Sequence, residues 1–83
     1  MFDLSDVKVL VTGGSRGIGL GIATVFARAG AAVAVTARGA ADLESAATTL
    51  EAAGARAVVT VAGDLATRAG AAEVVGTAIA ELG

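Results

Sequence analysis

Two patterns of apolar residues take turns along the chain. One is a short continuous run, and the other is a segment in which apolar residues recur every three or four positions. The first run, Val7 to Val11, is rich in β-branched residues, which predicts a strand buried on both faces. The helical spacing that follows predicts a helix that packs its apolar stripe on a sheet and ends near Gly30. That stripe comprises Ile18, Ile22, Val25, Phe26 and Ala29.

The same alternation occurs twice more. Strands are predicted over Val33 to Ala37 and over Val58 to Val61. The helix after the first of these ends at Gly54, and Gly70 and Gly76 weaken the last helix. The two apolar stripes are Leu43, Ala46, Ala47, Leu50 and Ala53, and then Val74, Val75, Ala78, Ile79 and Leu82. The predicted order is therefore βαβαβα, an α/β fold with a parallel sheet and right-handed crossovers.

The turn after the first strand, Thr12 to Gly19, contains three spaced glycines. Glycine is needed where the backbone must approach a phosphate closely, because a side chain would block the contact. The N–H groups at the start of the following helix can bind the anion. The three βα units share no other pattern, which disfavours a solenoid. We therefore predict a Rossmann-type doubly wound sheet that binds a dinucleotide.

In that topology the strands are ordered 3-2-1-4, so a fourth strand covers the far edge of the first. No fourth strand is predicted within the 83 residues. An apolar, unpaired Val7 to Val11 edge would invite aggregation. We therefore expect residues 1–83 to be the N-terminal part of a single NAD(P)-binding Rossmann domain, a fragment of a longer protein.

Composition narrows the classes of function. The net charge of −2 and the lack of a basic stripe argue against nucleic acid as a partner. Cysteine and histidine are absent, so no metal site is expected, and tyrosine is absent too. There is no signal peptide and no apolar run long enough for a membrane, so a cytoplasmic protein without a membrane partner is expected.

The segment T-G-G-S-R-G-I-G at Thr12 to Gly19 resembles the T-G-x-x-x-G-x-G signature of the short-chain dehydrogenases/reductases. The wording is closest to members similar to 3-oxoacyl-carrier-protein reductases. Ala37-Arg38 after the second strand, Asp64-Leu65 after the third and Glu81-Leu82-Gly83 at the end extend the resemblance over the whole chain. It would correspond to the first third of a family member.

The resemblance implies a cofactor site in which the glycine turn holds the phosphates and the adenosine ribose. Asp64 would bind the adenine amino group, with the backbone of Leu65 beside it. Members that use NAD usually carry an acid where this chain has Ala37, whereas Arg38 and Arg16 could bind a 2′-phosphate. NADP is therefore expected rather than NAD. The implied cofactor-binding residues are Gly13, Ser15, Arg16, Gly17, Ile18, Gly19, Arg38, Asp64 and Leu65.

The implied reaction is hydride transfer between nicotinamide and a small-molecule carbonyl or alcohol. In the family, the tyrosine of a Tyr-x-x-x-Lys pair is the general acid/base, and the lysine lowers its pKa. This chain contains no such pair, so no catalytic residue is assigned. The complete protein is expected to be an NADP-dependent oxidoreductase and a homo-oligomer. The alternative is a non-catalytic half-Rossmann module that binds a nucleotide or oligomerises.

Other interpretations of the same residues stay open. Arg38 could be an ordinary solvated arginine, and Asp64 could cap the turn into the third helix. A P-loop is excluded, since no glycine is followed by lysine. A flavin-binding or methyltransferase half-domain is a more distant possibility, because either would more naturally carry an acid near Ala37.

Overall fold

A computed structural model describes residues 3–13 and 17–83, and it confirms the predicted order of elements. The described elements are β1 (Lys8–Thr12), α1 (Gly17–Arg28), β2 (Ala32–Ala37), α2 (Ala40–Ala53), β3 (Ala57–Ala62) and α3 (Arg68–Leu82). Two predicted helix ends agree with it, since α1 ends two residues before Gly30 and Gly54 is the C-cap of α2.

The three strands form one parallel sheet in the order β1-β2-β3. Side chains alternate along β2, so Val33 and Val35 meet α1 and α2 while Ala34 and Thr36 lie on the opposite face. Helix α3 packs against β2 and β3. This is the predicted α/β fold of Rossmann type, and β1 lies at an edge because among the described residues it pairs with β2 alone.

The core is centred on β2 and is built largely from alanine. Five of the six β2 residues are buried, and seven of the twelve buried apolar residues in the described ranges are alanines. Leu50 of α2 is the largest fully buried side chain among the described residues. Each alanine buries little apolar area, so the cohesion of this core depends on many short van der Waals contacts between small side chains.

The predicted apolar stripe of α1 is wrong for three of its five residues. Ile18 is 84% exposed, Val25 is 65% exposed and Ile22 is 47% exposed, whereas Ala23 and Ala27 are completely buried. Both sets satisfy a helical spacing, and the structure turns the alanines inward because α1 must pack on α2 as well as on the sheet. Only Phe26 and Leu20 add larger, half-buried side chains from this helix.

Two further expectations about burial fail at the margins of the sheet. Val7 precedes β1 and is 37% exposed, and β1 is only half-buried because one of its sides has no neighbouring strand among the described residues. On α3, Val74 and Ala78 are buried while Ile79 is 59% exposed.

None of the helices in the two described ranges combines the length and apolar character that a membrane crossing requires.

Thr36 of β2 carries a buried hydroxyl. Its residue is fully buried, and Oγ1 has no hydrogen-bond partner among the described residues. Burying a hydroxyl without a partner costs about 1–3 kcal/mol. We expect Thr36→Val to raise the free energy of unfolding by about 1 kcal/mol, measured by urea denaturation. Thr60→Val on the exposed position of β3 is the control, and a destabilised Thr36→Val would show that the hydroxyl is satisfied.

Candidate functional site

The carboxyl ends of the three strands meet at one edge of the sheet. The backbone N–H of Gly13 donates to the Thr36 carbonyl at 2.9 Å, and that of Gly63 donates to the Ala37 carbonyl at 3.0 Å. These bonds extend the ladder by one step on each side of β2. They bring the loops after β1, β2 and β3 next to one another.

These loops and the start of α2 border an open cavity of about 370 Å³. In open α/β sheets, ligands bind in the crevice outside the carboxyl ends of the strands. The cavity therefore lies where the fold places a ligand. It is lined by Gly13, Ala37, Arg38, Gly39, Asp42, Gly63, Asp64, Leu65 and Ala66.

Gly13 and Gly17 border the glycine turn, and both have backbone conformations that favour glycine. Their φ values are +68° and +63°, which side chains rarely adopt, and a Cβ on either would meet no atom of the described residues within 4 Å. Gly17, Ile18 and Gly19 form the first turn of α1, where backbone N–H groups have no partner within the helix. These features suit a phosphate-bearing cofactor. The predicted site residues Ser15 and Arg16 lie outside the described residues.

Arg38 and Asp64 face each other at the cavity. Arg38 Nε lies 3.8 Å from Asp64 Oδ1, and the two side chains are 78% and 58% exposed. An exposed ion pair at this distance contributes only about 0–1 kcal/mol. Asp64 therefore binds the guanidinium only weakly. An anion of higher charge, such as a phosphate, can compete with Asp64 for it.

Asp64 also shapes the turn before α3. Its Oδ1 accepts a hydrogen bond from Ala66 N at 2.8 Å, while the N-cap of α3 is Thr67, whose Oγ1 accepts from Gly70 N at 3.0 Å. The alternative interpretation of Asp64 as a turn residue thus has a structural basis. It leaves Asp64 on the cavity wall with Leu65, so the two roles are compatible.

Sequence reasoning missed four residues on the cavity wall: Gly39, Asp42, Gly63 and Ala66. Asp42 lies in the first turn of α2, where the positive end of the helix dipole already accounts for an acid. The available signal was Gly39, three residues earlier, which has no side chain to separate the carboxylate from the loop after β2. A Cβ on Gly39 would lie 3.6 Å from Asp42 Oδ2.

The described cavity wall carries one cationic side chain, Arg38, and two carboxylates, Asp42 and Asp64. In the part of the chain that the structure describes, no three His, Cys, Asp or Glu side chains are grouped so that they could hold a metal ion. The wall therefore offers acceptors for hydroxyl or amino groups and a single guanidinium for an anion.

Comparison with known proteins gives one consistent family. A model of the short chain dehydrogenase family matches residues 7–83. An uncharacterised oxidoreductase of Mycobacterium tuberculosis is 43% identical over 83 residues, which are 100% of this chain and 31% of that protein.

Solved structures agree with this assignment. RhlG of Pseudomonas aeruginosa in complex with NADP has a TM-score of 0.83 and 41% identity, covering 99% of this chain and 32% of that one. L-sorbose reductase of Gluconobacter frateurii with NADPH and L-sorbose has a TM-score of 0.81 and 40% identity, covering 92% and 29%. The chain spans about a third of the length of these relatives. From its fold, its glycine turn and these matches, the chain belongs to the short-chain dehydrogenase family.

Proposed function

We propose that this chain forms the NADP(H)-binding portion of an oxidoreductase that transfers hydride between nicotinamide and a carbonyl or alcohol. The observation that carries the proposal is the cavity at the carboxyl edge of the sheet, with the loosely held guanidinium of Arg38 on its wall. Ala37 stands where an acid would repel a 2′-phosphate. Two relatives with similar folds were solved with NADP or NADPH.

Each predicted residue has a role in this proposal. Gly13, Ser15, Arg16, Gly17, Ile18 and Gly19 hold the phosphates through the glycine turn and the first turn of α1. Arg38 and Arg16 bind the 2′-phosphate. Asp64 accepts a hydrogen bond from the adenine amino group through the oxygen that Ala66 N does not use, and the backbone of Leu65 lies beside it.

The nicotinamide of the bound cofactor supplies or accepts the hydride. The residues of this chain bind and orient the cofactor. A tyrosine elsewhere in the complete protein donates or accepts the proton of the substrate, and a neighbouring lysine lowers the pKa of that tyrosine. We propose a small-molecule carbonyl or alcohol as the substrate and a cytoplasmic homo-oligomer as the working protein. The narrower resemblance to 3-oxoacyl-carrier-protein reductases stays a prediction.

Titration of the full-length protein that contains residues 1–83 with NADPH and NADH tests the proposal. We expect saturable NADPH binding that is tighter than NADH binding, followed by loss of nicotinamide absorbance when ketones or 3-oxoacyl compounds are added. Calorimetry measures the first result and absorbance the second. A protein that binds neither nucleotide would contradict the proposal.

A non-catalytic module is the second candidate, favoured by the outer side of β1, which has no partner among the described residues. In that case the β1 edge mediates assembly and the nucleotide is bound without turnover. The coding sequence beyond Gly83 separates the two candidates. A Tyr-x-x-x-Lys pair after a fourth strand supports the enzyme, and its absence supports the module.

A further inference from the structure

Asp42 lies on the wall of the same cavity as Arg38. Its negative charge repels a bound phosphate, whereas the positive charge of Arg38 attracts it. We propose that Asp42 is a specificity-determining residue that opposes a 2′-phosphate and accepts a hydrogen bond from an unmodified ribose, so that the site takes NADH as well as NADPH. This inference rests on the proposed function. It concerns a residue outside the glycine turn and outside the position after β2 that usually carries the acid.

The geometry gives the Asp42 carboxylate access to the cavity. Asp42 follows Arg38 by four residues, and Gly39 between them has no side chain, so Oδ2 lies close to the backbone that follows β2. Among the described residues, no ion pair within 4.0 Å and no side-chain hydrogen bond engages this carboxylate. It is therefore available to a ligand, whereas Asp64 already has Ala66 N and Arg38 as partners.

The sign of the effect follows from the charges. A phosphate monoester carries about −1.5 to −2 charges at neutral pH, so a nearby carboxylate repels it. A ribose hydroxyl is neutral and donates a hydrogen bond, which a carboxylate accepts more strongly than a neutral group does. Arg38, together with Arg16 in the proposed site, favours the phosphate, and Asp42 favours the hydroxyl. The preference between the two cofactors then depends on the balance of these opposing contributions.

Removal of the charge with little change of shape tests this inference. In the full-length protein, Asp42→Asn is expected to tighten NADPH binding by about 3- to 10-fold and to weaken NADH binding by about 2- to 5-fold. Kd values come from titration at low and high salt. The gain for NADPH should shrink at high salt, because an electrostatic repulsion is screened. Asp42→Glu, which keeps the charge, should retain a preference close to that of the original protein.

Glu44→Gln is the matched control. Glu44 is on the same helix, is exposed, and does not line the cavity, so its replacement changes the net charge equally without touching the wall. We expect no change in the ratio of the two Kd values. Thermal unfolding of both variants checks that α2 stays folded, since an acid near a helix N-terminus also stabilises the helix.

The outcomes separate the inference from the proposed function. If the original protein binds both nucleotides and Asp42→Asn leaves the ratio unchanged, or shifts it as Glu44→Gln does, the role of Asp42 is overturned and the cofactor site stands. If the original protein binds neither nucleotide, the proposed function fails first. A shift of the ratio toward NADPH in Asp42→Asn alone supports the inference.

Discussion

Replacing Arg38 by alanine is expected to weaken NADPH binding by about 1.5–3 kcal/mol, a factor of roughly 10 to 150 in Kd. NADH binding should change by less than about threefold, because the lost contact is to the 2′-phosphate and NADH has none. Arg38 is 78% exposed and its contact with Asp64 is long, so little folding energy is lost with it. Calorimetric titration of both nucleotides measures the difference.

Two variants control for the charge and for the partner of Arg38. Arg56→Ala removes an exposed arginine just before β3, at the opposite end of the sheet, and should leave both Kd values unchanged. Asp64→Asn removes the partner of Arg38, and because Asp64 is also proposed to bind the adenine of both nucleotides, it should weaken NADPH and NADH binding to a similar extent. An equal loss for NADPH and NADH in Arg38→Ala would show that Arg38 does not recognise the 2′-phosphate.

Replacing Leu50 by alanine is expected to lower the free energy of unfolding by about 2–5 kcal/mol. Leu50 is completely buried and packs from α2 into the cluster that contains Val33 and Val35. In a core made mostly of alanine, few neighbouring side chains are long enough to fill the space that Leu50 leaves. Since small domains have only about 5–15 kcal/mol of stability, this loss would be a large share of it.

Urea denaturation of the full-length protein measures this change. Glu51→Ala is the control, because Glu51 is the next residue of α2 and is exposed, and we expect its effect to stay within about 0.5 kcal/mol. A loss below about 1 kcal/mol in Leu50→Ala would contradict the assignment of Leu50 to the centre of the core.

Part of the cavity wall was predictable from the sequence, because the family resemblance assigned Gly13, Arg38 and Asp64 to one ligand. A parallel sheet brings the residues after its strands to one edge, so these three residues could be placed together from the sequence. Asp42 could not, because an acid in the first turn of a helix has a sufficient local explanation in the helix dipole. Its place on the cavity wall depends on the direction in which α2 leaves the sheet.

The order of the elements and the helix ends near Gly30 and Gly54 were determined by the sequence alone, because hydrophobic periodicity and glycine act over a few neighbouring residues. The tertiary structure alone decided which side of α1 is buried. Ile22 and Ala23 belong to two stripes of equal periodicity, and only the packing of α1 against both α2 and the sheet selects the alanine side. That choice depends on the space between three elements, which no local pattern specifies.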